Sequence, residues 1–62
     1  MKSIRERRIE LGITQAELAK KLNVDRSTIA KWETNKSYPK VKMLSKVSDA
    51  LDLPLNDLVN AG

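Results

Sequence analysis

Sixty-two residues, 40% of them hydrophobic, suffice for one compact domain with a thin core, since a chain of this size buries only about 60% of the surface it exposes when unfolded. Cysteine and histidine are both absent, which excludes disulfide staples and the usual zinc ligands, and no apolar run is long enough to span a bilayer. The net charge is +4, unevenly spread: residues 1–48 hold all 12 lysines and arginines against five acids, whereas residues 49–62 hold Asp49, Asp52 and Asp57 and no base. A basic body with an acidic end points to a polyanion partner on one side, set against the plainer reading that lysines keep a small domain soluble. The N-terminus turns charged too early for a secretory signal, so a cytoplasmic location is expected.

Five helical segments are predicted, at about 3–11, 15–22, 26–33, 41–51 and 55–60, all within a single domain over residues 1–62. The first opens on Ser3-Ile4-Arg5-Glu6, a capping box, and stops at Gly12. Its inward stripe is Ile4, Arg8 and Leu11, with an arginine that needs an anion. The second opens on a second capping box, Thr14-Gln15-Ala16-Glu17, turns Leu18, Ala19 and Leu22 inward, and ends at Asn23, a residue that tolerates positive φ. The third follows Val24 with Asp25 as its N-cap, buries Ile29 and Trp32, and closes at Thr34-Asn35 before Pro39.

The fourth carries Val41, Leu44, Val47 and Leu51 at helical spacing, but Lys40 is a poor cap, so its start is expected to be less firm. The fifth follows Pro54 with Leu55, Leu58 and Val59. No stretch alternates as a half-buried strand does, so the fold class is all-α.

Between Gln15 and Thr34 the order of residues is more specific than that of a packing hairpin. Ala19 is small where two helices must approach, Asn23 turns the chain, Val24 plugs the gap, and Ile29 and Trp32 anchor the next helix. Together with Leu11-Gly12-Ile13-Thr14-Gln15-Ala16-Glu17-Leu18-Ala19 and Thr28-Ile29-Ala30-Lys31-Trp32-Glu33, and with Pro39, Leu44, Ala50-Leu51 and Leu55-Asn56-Asp57-Leu58, this order resembles the phage repressor and Cro (Xre-like) helix-turn-helix family. The resemblance implies a five-helix lambda-repressor-like domain with its helix-turn-helix at helices 2 and 3. It also implies sequence-specific binding of double-stranded DNA as a transcriptional regulator, usually a repressor, with a homodimer on a palindromic operator. Asn23 and Asn35 depart from the glycines frequent in that family, Lys40 from its usual hydroxyl cap, and Pro54 from a frequent polar cap.

On the third helix Ile29, Trp32 and Glu33 share one side, and Ser27, Ala30, Lys31 and Thr34 lie opposite. A short or basic outward face suits a major groove about 12 Å wide. Arg26 and Lys31 are the candidates for guanine edges, Ser27 for a base or phosphate, and Ala30 for a thymine methyl. The resemblance likewise assigns sequence reading to the early third-helix positions and to Lys31. Thr14 and Gln15 at the start of the second helix, with Thr28, Thr34, Lys36 and Lys40, are expected at phosphates, and the family holds the DNA backbone with a glutamine at the place of Gln15.

Arg8 and Glu33 each put a charge on an apolar stripe, and they are expected to pair. Similar arginine–glutamate pairs occur in the family, and Arg8 has a possible second role near the DNA backbone. Trp32 is expected in the core, and Tyr38 either covers the core or meets DNA. Leu55, within the 53–60 region, is the expected dimer contact.

The competing reading is a protein-interaction module such as an antitoxin or anti-repressor. An enzyme is not expected, because histidine, cysteine and a glycine-rich phosphate loop are missing while Asp25 and Glu33 have structural duties. No cofactor, metal or membrane partner is expected.

Overall fold

A computed structural model describes residues 2–58 and contains α1 (Ile4–Glu10), α2 (Gln15–Leu22), α3 (Arg26–Glu33) and α4 (Val41–Leu51), followed by a 3-10 turn at Leu55–Asp57. The first three helices start where the sequence supplies a side-chain acceptor. Ser3 Oγ accepts the Glu6 N–H at 3.1 Å, and the Ser3 N–H donates to Glu6 Oε1 at 3.0 Å. Thr14 and Glu17 repeat the exchange at 3.0 and 2.8 Å, and Asp25 Oδ2 accepts the Ser27 N–H at 3.0 Å. Each of these bonds satisfies a donor that the helix itself leaves free. Lys40 makes no side-chain cap for α4, as its chemistry predicts.

All four helices also end by one device. Gly12, Asn23, Asn35 and Asp52 take left-handed backbone at φ 70°, 56°, 61° and 50°. The N–H of the next residue then returns to a carbonyl five positions earlier: Ile13 to Arg8 at 3.2 Å, Val24 to Ala19 at 3.0 Å, Lys36 to Lys31 at 2.8 Å and Leu53 to Ser48 at 3.0 Å. This is the Schellman ending. Ile13, Val24 and Leu53 fold back onto the core, so three of the stops also fill it. Lys36 is exposed instead, and there the chain leaves the body to form the loop before α4. A Cβ at Gly12 would meet nothing, so the left-handed backbone alone calls for glycine there.

Ile4, Leu18, Ala19, Leu22, Ile29, Trp32, Val47, Leu51 and Leu58 form the core, with α2 packed on α3 and α4, and α1 on the same two helices. Val41 does not join them. It is 82% exposed, because residues advance about 100° each and the buried Val47 and Leu51 centre the inner face far from it. Met43 and Leu44 are the half-buried residues of that first turn, and Met43 packs against the core. Leu11 is likewise exposed, since α1 ends at Glu10 and places it beyond the last turn.

The fifth helix is also corrected. Over the described residues it is a single 3-10 turn, after which Leu58 extends and forms an isolated parallel bridge with Lys2. The Lys2 N–H donates to the Asp57 carbonyl at 2.7 Å, which ties the two ends of the domain together. Val59 and the rest of the expected helix to residue 60 lie outside the described residues. A further tie went unforeseen in the sequence: Arg7 Nε donates to the Leu51 carbonyl at 2.8 Å and Arg7 Nη2 to that of Asp52 at 3.3 Å. A cation thereby meets the C-terminal, negative end of α4.

Two outcomes follow from this packing. Truncating the fully buried Leu51 to alanine is expected to remove about 2–5 kcal/mol, a large share of the roughly 3–9 kcal/mol available to a domain of this length. Urea unfolding measures it. Glu6 and Glu17 are held below the ordinary glutamate value of 4.5, first by the cap backbone N–H and then by the cap side chain. Carboxylates with lowered folded values stabilise the fold above their ordinary value, and this is lost as pH falls through the folded one. The melting temperature is therefore expected to drop once the pH passes below 4.5. Glu6→Gln together with Glu17→Gln should flatten that drop.

Candidate nucleic-acid interface

Two buried side chains, Ile29 and Trp32, hold α3 against the body. The opposite side of this eight-residue helix faces out: Arg26, Ser27 and Lys31 are exposed, and Thr28 and Ala30 are half-buried on its flanks. The crossing of α2 and α3 is set by the fully buried Leu18, by Ala19, and by Val24 partly buried between the helices. No side chain on the exposed ridge exceeds the reach of one arginine or lysine, and nothing apolar and large projects from it. Two grooves on the body, of about 230 and 320 Å³, are lined by other residues, Trp32 and Glu33 among them, and not by Arg26, Ser27 or Lys31.

Behind the ridge lies the Arg8–Glu33 pair. Arg8 Nε donates to Glu33 Oε2 at 2.7 Å and Arg8 Nη2 to Oε1 at 3.0 Å, a two-pronged contact with side chains 12% and 2% exposed. Arg8 Nη1 donates to the Ile13 carbonyl at 2.9 Å, so the guanidinium also braces the turn after α1. The hydrogen bonding to Glu33 raises the Arg8 pKa above its usual value, against the opposing effect of burial. Glu33 Oε1 accepts a further bond, from Gln15 Nε2 at 3.1 Å. Among the described residues no buried side-chain polar atom lacks a partner.

The other expected contact residues are placed as follows. Gln15 is half-buried at the first position of α2, with one amide N–H committed to Glu33 and the other still free to donate. Thr14 is exposed, its oxygen serving as the α2 cap. The Thr34 hydroxyl is turned back onto α3 and donates to the Ala30 carbonyl at 2.8 Å. Lys36 and Lys40 are exposed in the loop after α3, on either side of the 63% exposed Tyr38 and the buried Pro39.

Two couplings escaped the sequence reading. One is the bond from Gln15 to Glu33, for which the sequence carries no signal. The other lies at the start of α3, where the Ser27 hydroxyl donates to Asp25 Oδ2, the oxygen that already accepts the Ser27 N–H. An acid two positions before a serine at a helix start could have announced it. These two bonds, the side-chain one first, hold the Asp25 carboxyl below its ordinary range.

With this geometry in view, the profile of the helix-turn-helix family matches residues 4–58, nearly the whole described chain. The chain belongs to the helix-turn-helix family, of the repressor and Cro type. An HTH-type transcriptional regulator of Archaeoglobus fulgidus is 40% identical over 55 residues, which cover 89% of this chain and 79% of that one. An HTH-type transcriptional regulatory protein of Methanococcus vannielii is 37% identical over 59 residues, or 95% of this chain and 18% of its own. The HTH-type transcriptional activator BcrR of Enterococcus faecalis is 35% identical over 49 residues, or 79% of this chain and 24% of its own. The chain thus spans less than a quarter of the length of these last two relatives. Its helix-turn-helix is one that proteins named as transcriptional regulators also carry, and among the described residues no helix is long and apolar enough to cross a membrane.

Glu33→Gln leaves the Arg8 charge without its counter-ion in a nearly dry site, and is expected to destabilise the fold by about 3–5 kcal/mol. Replacing both partners, Arg8→Met with Glu33→Leu, should recover most of that loss in the same thermal melt, because the burial penalty of the charges goes with them.

Proposed function

We propose that this helix-turn-helix domain reads a specific DNA sequence by laying α3 in the major groove, and that it acts as a repressor by occupying a palindromic operator as a homodimer. The observation that carries this reading is the two-sidedness of α3: Ile29 and Trp32 are buried, while Arg26, Ser27 and Lys31 stand exposed. Arg26 and Lys31 are the readers of guanine O6 and N7, Ser27 reads a neighbouring base edge, and Ala30 lies against a thymine methyl. Gln15, Thr28, Lys36 and Lys40 hold phosphates and fix the register. Thr14 and Thr34 are secondary backbone contacts, because their hydroxyls already serve helix ends. Arg8 and Glu33 hold the frame.

The dimer contact is assigned to the region of the 3-10 turn, where Leu55 is 48% exposed. Two recognition helices would then sit about 34 Å apart, one turn of the duplex. Repression needs only occupancy of the operator, which the α2–α3 unit supplies without a second surface. The name of BcrR says activator, and this chain spans 24% of that protein, so activation there has other sequence to draw on.

Fluorescence anisotropy against a pool of random duplexes at several salt concentrations tests the reading. The expected result is a log–log salt slope near −0.9 per phosphate contact and a selected palindrome bound about a thousandfold or more tighter than the pool. Negligible, salt-insensitive binding at micromolar protein would overturn it. On the selected palindrome, Arg26→Ala and Lys31→Ala should each weaken binding by about 5- to 150-fold, equivalent to about 1–3 kcal/mol, and relax the preference at one base pair. Lys36→Ala should weaken all sequences alike and lower the salt slope by roughly one contact.

A further inference from the structure

We propose that Ser27 reads DNA only as a hydrogen-bond acceptor, because its hydroxyl proton is committed to a hydrogen bond with Asp25, so that the base facing it is adenine or cytosine presented by its amino group. This deepens the reading above and rests on it.

A serine hydroxyl ordinarily has one proton to give and lone pairs that accept, so it meets any base edge. In this chain the choice is removed. Ser27 Oγ donates to Asp25 Oδ2, and the same oxygen accepts the Ser27 backbone N–H at 3.0 Å. The two bonds share one carboxylate oxygen, and they fix both the serine rotamer and the start of α3. Asp25 is ionised at neutral pH, since both bonds stabilise its charged form. A carboxylate only accepts, so the proton of this pair resides on serine.

The remaining lone pairs of Ser27 Oγ are what this exposed residue has left to present. In the major groove the donors are the N6 amino group of adenine and the N4 amino group of cytosine, whereas guanine O6 and N7 and thymine O4 are acceptors. An oxygen that only accepts is repelled by the second set. Asp25 is therefore a positioning residue: it reaches no base itself, yet it selects the polarity of the one beside it. Arg26 and Lys31 can only donate, so the exposed ridge pairs two donors with one acceptor. The expected half-site carries guanine edges under Arg26 and Lys31 and an amino group under Ser27.

The test is selection of bound duplexes from a randomised pool, followed by sequencing, with the wild-type chain, Ser27→Ala and Asp25→Gly. Glycine keeps a usable N-cap at a cost of a few tenths of a kcal/mol, and thermal melts confirm folding of each variant. The wild type should favour adenine or cytosine at one position of each half-site by about three- to tenfold, the range of a single hydrogen bond. Ser27→Ala should erase that preference and leave the others in place. Asp25→Gly should admit guanine and thymine at the same position, because the freed hydroxyl can then donate. A Ser27-dependent preference for guanine or thymine in the wild type overturns the proposal. So does an Asp25→Gly profile identical to wild type, or a selected site with no position that responds to Ser27→Ala. Failure of the wild type to enrich any sequence is a different result, and removes the sequence-reading function itself.

Discussion

The carboxylate of Glu33 is the point at which the first three helices meet. It lies on the last position of α3, receives both prongs of Arg8 from α1, and accepts an amide N–H of Gln15 from the first turn of α2. Isolated, a charge only 2% exposed would cost several kcal/mol. Here its oxygens are shared among three donors, and the arginine makes a further bond to the Ile13 carbonyl at the entry to α2. Hydrocarbon contacts alone set helix spacing loosely in a core of nine residues. A directional ionic bond with two prongs fixes the rotation of each helix as well as its distance. The exposed face of α3 inherits its orientation from that bond.

Economy of the same kind governs the helix ends. A chain of 62 residues has little core from which to stabilise fraying termini. Capping boxes at Ser3 and Thr14, an acid cap at Asp25 and four left-handed stops satisfy the backbone at seven of the eight ends. The remaining one, at Lys40, follows the loop that carries Lys36 and Tyr38. The residues after three of the stops are apolar and return to the core, so local chain reversal and tertiary packing are accomplished by the same few side chains.

Much of this was legible in the sequence because it is written in short-range chemistry. Serine or threonine three positions before glutamate, asparagine after a helical stripe, and two lone charges on apolar stripes each have few structural outcomes. The start and end of α2, the end of α3 and the Arg8–Glu33 contact follow from these signals. What failed was what depends on distance along the chain or on phase. The spacing of Val41 suggested burial, but a helical period fits several faces, and only packing chose the one through Val47. A one-residue bridge between Lys2 and Leu58 has no alternation to betray it, and Leu58 is extended where a helix was expected. The reach of Arg7 to the end of α4 spans 44 positions and leaves no local trace. At the candidate interface the exposures of Arg26, Ser27 and Lys31 were readable from phase, whereas the hold of Glu33 on Gln15 was not.

The anchoring of α3 by Ile29, Trp32 and Glu33 separates two kinds of evolutionary change. Substitutions at Arg26, Ser27 or Lys31 disturb no core contact, since all three are exposed. A scaffold of this design can therefore acquire a new vocabulary without passing through unstable intermediates. Mutational drift on the ridge is filtered by what the partner accepts, and drift on the anchors by whether the chain folds at all.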